Sequence, residues 1–192
     1  MKILINEAEF IQQLTSKKHQ EKAFAKLLHL YQERLYWHIR KIVITHENAD
    51  DVLQNTFIRV YKSLANFKQQ SSLHTWMYKI AYNESIRFLE SQKKKTFSSI
   101  DEVSDKYLGS LKDDVFFDGD EAQLKLQKTL LQLSEKQRQV FQMKYYDNLK
   151  FREIASIIEM KEATVKTHYY GAVKHIENTI TSVGYIEKIK MV

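Results

Sequence analysis

Residues 49–61 read Ala-Asp-Asp-Val-Leu-Gln-Asn-Thr-Phe-Ile-Arg-Val-Tyr, and this stretch decides how the first half of the chain is built. Its apolar positions recur at steps of three and four, which predicts an amphipathic helix. The expected buried face consists of Val52, Leu53, Thr56, Phe57, Val60 and Leu64. The opposite face is polar, is expected to be free for a partner, and contains Asp51, Gln54, Asn55 and Arg59.

Polar residues mark the start of this helix. Thr45 or Asn48 can act as its N-cap. Asp50 and Asp51 are then expected in the first turn, where a carboxylate stabilises the positive helix end by about 0.3–1 kcal/mol. That structural role is sufficient to explain the acidic pair without any ligand.

A loop at residues 66–72 is predicted to separate this helix from a second one at residues 73–91. This second helix is expected to bury Leu73, Met77, Ile80, Ala81 and Leu89. The remaining aromatic and polar residues cannot all lie inside; they are Trp76, Tyr78, Lys79, Tyr82 and Asn83. Unpaired bases stack on aromatic rings, amides bind base edges and cations bind phosphates, so this set suits single-stranded nucleic acid. The alternative, in which Trp76 and Tyr78 are ordinary core aromatics, is the commoner one and stays open on these residues alone.

The overall composition favours helices. The 192 residues include no proline and four glycines, so little in the chain would end helices or form tight hairpins. Two further helices are predicted upstream, at residues 6–16 and 19–43, with apolar residues at helical spacing. The expected fold class is all-α.

The composition also excludes several kinds of site. The chain has no cysteine, which excludes disulfides and thiolate metal sites. Its first residues turn polar too early for a signal peptide, and no run approaches the roughly 20 apolar residues that span a bilayer. The seven histidines are scattered, without an HExxH motif or a glycine-rich phosphate loop. We therefore expect a cytoplasmic protein that is not an enzyme, has no cofactor or metal, and does not insert into a membrane.

The net charge of +6 divides into two basic modules. Residues 1–92 contain 13 Lys and Arg against 9 Asp and Glu, residues 93–120 contain 5 against 7, and residues 121–192 contain 12 against 8. This pattern suggests a polyanion as partner, although an ordinary basic protein would show the same charge. We expect two small helical domains, at residues 1–95 and 120–192, joined by a flexible acidic linker at residues 96–119.

The sharpest local pattern lies in the second module. Ser134 and Gln137 form the pattern of a capping box that starts one helix. A short helix at residues 150–158, a tight turn at 159–161 and a longer helix from Glu162 then predict a helix-turn-helix, whose second helix enters the major groove by its N-terminal half. That helix is expected to bury Val165, Tyr169, Ala172 and Ile176, and to expose Thr164, Lys166, Thr167, His168, Tyr170 and Lys174. A helical hairpin from another kind of bundle is the alternative.

Taken together, these segments resemble the extracytoplasmic-function sigma factors of bacterial RNA polymerase, in the sigma-70 family. Residues 49–57 resemble the family's Ala-Glu-Asp-Leu-Val-Gln-Glu-Thr-Phe signature. Residues 74–83 are similar to its Arg-Ser-Trp-Leu-Tyr-Arg-Ile-Ala-Arg-Asn segment, and residues 164–167 to its Thr-Val-Lys-Ser. The three motifs occur in the family's order, and the likeness extends over about residues 20–92 and 120–180.

The resemblance implies a function and a role for each segment. The first domain would be region 2 and the second region 4 of a sigma factor that binds core RNA polymerase, through the clamp helices of the largest subunit and the flap of the second largest. The implied polymerase-binding residues are Asp50, Asp51, Gln54, Asn55 and Thr56. The implied contacts to the melted non-template strand of the −10 element are Asn66, Lys68, Ser71, Ser72, His74, Trp76, Lys79, Tyr82 and Asn83. The implied contacts to the −35 duplex are Arg152, Lys161, Thr164, Lys166, Thr167, His168, Tyr170 and Lys174.

The resemblance also implies an anti-sigma factor as a partner.

Three residues of this chain differ from those that the family usually has at the same positions. Gly171 stands where relatives commonly have arginine, which is expected to remove a DNA contact and to cost about 1 kcal/mol of helix propensity. Arg87 stands where aspartate is usual and Glu90 where arginine is usual, so the end of the first domain is expected to hold DNA less tightly. The alternative function is a helix-turn-helix regulator that acts without polymerase, which leaves the motifs of the first domain unexplained.

Overall fold

The computed structural model describes residues 6–93 and 121–180, and all regular structure in these ranges is helical. The chain divides into two compact units, Met1–Glu90 and Ser91–Val192. The predicted all-α architecture of two small helical units is confirmed. The predicted linker at residues 96–119 lies outside the described residues.

The first unit contains four α-helices among its described residues, and we number them from the N-terminus. They are α1 (Glu7–Thr15), α2 (Gln20–Val43), α3 (His46–Ser63) and α4 (Leu73–Lys93), with a short 3-10 helix at Leu64–Asn66 between the last two. Each helix gives apolar side chains to one core, which includes Leu14, Leu35, Ile39, Val60 and Met77 with no exposed surface. Burying a side chain of this size contributes about 1.5–3 kcal/mol, and this core holds α3 and α4 in place.

The start of α3 agrees with one of the two expected N-caps and differs from the expected position of the acidic pair. Thr45 is the N-cap, since its Oγ1 accepts a hydrogen bond from the Asn48 backbone N–H at 3.2 Å. The helix therefore begins at His46, and the acidic residue of its first turn is Glu47. Asp50 and Asp51 lie one turn further on, so the predicted stabilisation of the helix end by this pair is wrong.

Two side chains bind the start of α4. Ser72 Oγ accepts from the Thr75 N–H at 3.1 Å, as an N-cap side chain does. Glu7 Oε1, from α1, accepts from the Leu73 N–H at 2.6 Å. Because 66 residues separate Glu7 from Leu73, this bond ties the N-terminal helix to the first turn of α4.

The second unit contains four further α-helices in its described part: α5 (Glu121–Gln132), α6 (Glu135–Tyr145), α7 (Phe151–Ile158) and α8 (Glu162–Ile180). The predicted capping box is confirmed. Ser134 Oγ accepts from the Gln137 N–H at 3.4 Å, and Gln137 Oε1 accepts from the Ser134 N–H at 3.2 Å. The core of this unit includes Leu130, Phe141, Ile154, Val165 and Ile176, all without exposed surface.

Helices α7 and α8 form the predicted helix-turn-helix. The first ends at Ile158, and its C-cap residue Glu159 has a left-handed backbone with φ of 56°. The turn is closed by a hydrogen bond from the Met160 N–H to the Ala155 carbonyl at 3.0 Å. The second begins at Glu162, as expected. Its predicted inward residues are all buried, which confirms the assignment of Val165, Tyr169, Ala172 and Ile176.

Candidate polymerase and promoter interface

The outward face of α3 is polar at one end and apolar at the other. Asp51, Gln54 and Asn55 are exposed, as the sequence predicted, and Asp50 is exposed beside them. Further along the same face, Ile58 is 47% exposed and Tyr61 is 42% exposed. Large apolar side chains surrounded by polar ones are typical of a protein–protein interface. Sequence analysis assigned no role to Ile58 and Tyr61, although their spacing of four and seven residues from Gln54 places them on its face.

Thr56 does not belong to this face. Its side chain has no exposed surface, and its Oγ1 donates to the Val52 carbonyl at 2.7 Å. A hydroxyl bonded to its own helix and covered by the core cannot reach a partner. Thr56 is therefore removed from the residues expected to contact polymerase. Its predicted place on the buried face of α3 is confirmed.

Arg59 is exposed, as predicted, and its guanidinium forms an ion pair within the same unit. Its Nε lies 2.7 Å from Glu84 Oε1, and Arg87 NH1 lies 2.6 Å from the same oxygen. Arg59 belongs to α3, whereas Glu84 and Arg87 belong to α4, so the cluster joins the two helices. Arg87 therefore already has a carboxylate partner in its own unit.

The aromatic residues of α4 divide between the core and the surface. Tyr78 is 2% exposed and Tyr82 is 7% exposed. The ring of Tyr82 is thus covered by the protein, which corrects its expected role as a platform for an unpaired base. Trp76, Lys79 and Asn83 are partly exposed and stay compatible with contacts to DNA.

Trp76 packs against the loop before α4. Its ring lies 4.7 Å from the ring of Phe67, with a 34° angle between their planes. Phe67 is partly buried and was missed by sequence analysis, although an aromatic residue in an otherwise polar loop was a usable signal. The contact holds the loop beside the partly exposed face of α4.

The remaining −10 candidates lie on this loop and at the first turn of α4. Asn66 and Lys68 are exposed and Ser71 is partly exposed. The Ser72 hydroxyl is used in capping α4, and its oxygen also lies 2.9 Å from Thr75 Oγ1. His74 packs between two rings, 5.9 Å from Tyr31 and 4.5 Å from Tyr78.

Tyr31, on α2, packs beside His74 in the first turn of α4. Burial raises the pKa of its hydroxyl above the ordinary value, and the nearby Glu7 carboxylate raises it further while Arg34 lowers it. Tyr31 is therefore neutral at physiological pH and adds no charge next to the start of α4.

The second helix of the helix-turn-helix, α8, has the exposed residues that the sequence predicted. Thr164, Lys166, Thr167 and Lys174 are exposed and His168 is partly exposed. Tyr170 is 60% exposed, with its ring 6.2 Å from that of Phe151. On the preceding helix and turn, Arg152 and Lys161 are also exposed. All eight −35 candidates therefore reach the surface of the second unit.

Two of these side chains already have partners on α8. Lys166 Nζ lies 2.7 Å from Glu162 Oε1, and it lies 5.8 Å from the centre of the Phe151 ring. The hydrogen bond to Glu162 and the charge of that carboxylate raise the pKa of Lys166. Thr167 Oγ1 donates to the Ala163 carbonyl at 3.1 Å.

Gly171 faces the neighbouring helix. A Cβ built at this residue would lie 3.0 Å from Nε2 of Gln137, in the first turn of α6. A side chain at position 171 would therefore start toward α6. The expected loss of a DNA contact at Gly171 stays a prediction, and the Gln137 side chain is the neighbour that an added side chain would meet first.

Within residues 6–93 and 121–180, no helix has the length and hydropathy needed to cross a bilayer. The same residues contain no group of three or more His, Asp or Glu side chains that could hold a metal ion.

Two family models match the chain, one in each unit. The model described as Sigma-70 region 2 matches residues 27–95, and the model described as Sigma-70, region 4 matches residues 123–176. Together these ranges include more than half of the chain. They contain the α3 face, the loop and α4, and the helix-turn-helix.

Known relatives agree with these matches. The chain is 28% identical over 162 residues to the ECF RNA polymerase sigma factor SigW of Bacillus subtilis, covering 80% of this chain and 87% of the relative. It is 27% identical over 172 residues to the ECF RNA polymerase sigma-E factor of Escherichia coli K12, covering 85% and 90%.

A solved structure shares the fold. The sigma factor RpoE of Bartonella quintana, solved in complex with the anti-sigma factor NepR, gives a TM-score of 0.67 at 19% identity, covering 83% of this chain and 98% of that one. The helices, both family matches and these relatives agree that the chain belongs to the sigma-70 family of RNA polymerase sigma factors, within which it resembles the extracytoplasmic-function group.

Proposed function

We propose that this chain binds core RNA polymerase through the exposed face of α3, consisting of Asp50, Asp51, Gln54, Asn55, Ile58 and Tyr61. Sigma factors are initiation factors without catalytic activity, which direct polymerase to promoters. The observation that supports this face best is its composition, with acidic and amide groups at one end and two exposed apolar side chains at the other. The expected partner is the clamp helices of the largest polymerase subunit.

Promoter recognition is divided between the two units in this proposal. Helix α8 binds the −35 element as duplex in the major groove. The 66–72 loop and the partly exposed face of α4 hold the non-template strand of the melted −10 element, with Trp76 and Lys79 as the main contacts. Melting costs about 1.4 kcal/mol per base-pair step in stacking, and stacking an unpaired base on an aromatic ring returns about 1–3 kcal/mol.

A protein partner that blocks these surfaces is part of the proposal. The Bartonella quintana relative was solved with an anti-sigma factor. We expect an anti-sigma factor for this chain as well, and we expect it to compete with polymerase for the α3 face.

Retention of core polymerase tests the main proposal. Immobilised full-length chain is expected to retain purified bacterial core RNA polymerase, and Asp51→Arg and Gln54→Ala are each expected to reduce retention at least tenfold. Glu33→Arg is the matched control, because Glu33 is exposed on α2, away from the α3 face, and the charge change equals that of Asp51→Arg. Failure of the wild-type chain to retain polymerase would contradict the proposal and favour a helix-turn-helix regulator that acts alone.

A further inference from the structure

The carboxylate of Glu162 lies at the end of α8 that is proposed to enter the major groove. Glu162 is the first residue of that helix, and its side chain is 45% exposed. The exposed cationic side chains of Lys161 and Lys166 belong to the same helix end. Sequence analysis assigned DNA contacts to these lysines and no role to Glu162.

A carboxylate can contact DNA bases in few ways. It only accepts hydrogen bonds, so it is repelled by phosphates and by the acceptor atoms of guanine and of thymine. The major groove offers it two kinds of donor, the N4 amino group of cytosine and the N6 amino group of adenine. An acidic residue at this position therefore favours bases with an amino group and disfavours the others.

Glu162 also fixes the position of Lys166. Their 2.7 Å ion pair holds the ammonium beside the first turn of α8, where the Phe151 ring contacts it from another direction. In this ion pair the ammonium partly neutralises the Glu162 carboxylate, and it is less available to a phosphate than an unpaired ammonium would be.

We propose that Glu162 is a specificity-determining residue of the −35 contact, which accepts a hydrogen bond from cytosine or adenine and keeps Lys166 off the phosphates. This inference rests on the proposed function, in which α8 binds the −35 duplex. It predicts that the acidic residue limits affinity and improves discrimination.

The test compares wild-type chain with Glu162→Gln, each assembled with core RNA polymerase on promoter DNA whose −35 segment is randomised. Sequencing of the retained DNA is expected to show one position at which wild type prefers cytosine or adenine over guanine and thymine. In Glu162→Gln this preference is expected to fall about fivefold or more, because the amide group can donate as well as accept. Glu135→Gln, the same change in the first turn of α6, is the control and is expected to leave the preference unchanged.

Salt dependence gives a second readout. A cation placed on a phosphate adds about 0.9 to the slope of log affinity against log salt concentration. Lys166→Met is therefore expected to leave the slope unchanged in wild type and to lower it by about 0.9 in the Glu162→Gln background, where Lys166 is released.

Two outcomes would overturn the inference, and they are distinguishable. Identical base preferences and slopes for wild type and Glu162→Gln would reject the role of Glu162 while leaving the proposed function in place. A wild-type holoenzyme that selects no sequence in the randomised segment would reject −35 recognition by α8, and this inference with it.

Discussion

At the scale of the residue, two opposing effects meet at Gly171, the helix propensity of α8 and the close approach of Gln137 from α6. Alanine at position 171 gains about 1 kcal/mol of helix propensity over glycine. Its Cβ would also lie 3.0 Å from Nε2 of Gln137, whose side chain closes the capping box of α6. We therefore expect Gly171→Ala to change the free energy of unfolding by less than about 0.5 kcal/mol in wild type, and to stabilise a Gln137→Ala variant by about 1 kcal/mol.

Chemical denaturation followed by circular dichroism measures both differences in the full-length chain. Gln137→Ala alone serves as the reference for the double variant. Equal gains in the two backgrounds would show that Gln137 moves aside without cost, and the contact would then not explain the glycine.

At the scale of the element, the start of α4 depends on a side chain from α1. Glu7 accepts a hydrogen bond from the Leu73 N–H, and the 66–72 loop leads directly into this turn. Glu7→Ala is expected to cost about 1 kcal/mol of stability, as loss of a helix cap does. It is also expected to weaken binding of a −10 non-template oligonucleotide by the assembled holoenzyme several-fold, because the loop and Trp76 lose their anchor.

Two comparisons separate this effect from general damage. Glu9→Ala is the matched control on the same helix, since Glu9 is exposed and its carboxylate accepts a long 3.4 Å hydrogen bond from Gln13. Glu7→Gln keeps an acceptor oxygen and is expected to restore most of the oligonucleotide binding. If Glu7→Ala weakens polymerase retention as much as oligonucleotide binding, the contact supports the whole unit and not the −10 surface.

Local patterns in the sequence predicted the elements better than the contacts between them. The helix-turn-helix and its four inward residues followed from helical spacing around a short turn, because such a pattern has one consistent arrangement. The burial of Tyr82 did not follow, since α4 has apolar or aromatic residues on most of its faces and periodicity alone cannot orient it. The Glu7–Leu73 and Arg59–Glu84 contacts join separate helices, and no local pattern specifies such pairs.

At the scale of the whole molecule, the presence of two basic units determines how tightly and how selectively the chain binds DNA without polymerase. Each unit can bind the polyanion weakly through its own cations, and non-specific binding of this kind has dissociation constants of about 10⁻⁴–10⁻⁶ M at physiological salt. We therefore expect the free chain to bind a promoter duplex and a scrambled duplex within threefold of each other. Added core polymerase is expected to produce a clear preference for the promoter.

Fluorescence anisotropy with labelled duplexes measures both conditions at a fixed salt concentration. The promoter duplex is the one selected by the holoenzyme from the randomised library. A tight complex that prefers the promoter without polymerase would contradict this expectation, and would favour a helix-turn-helix regulator that acts without polymerase.

Because Trp76 packs against Phe67, the fluorescence of Trp76 can also report on the loop before α4. The chain contains two tryptophans, and the other, Trp37, lies on α2 with its ring 5.3 Å from that of Tyr36. In a Trp37→Phe chain, the tryptophan emission would come from Trp76 alone, and separation of Trp76 from Phe67 would change the wavelength and intensity of that emission. Stopped-flow recording could then follow the loop as the free chain binds an unpaired non-template oligonucleotide, without any attached dye.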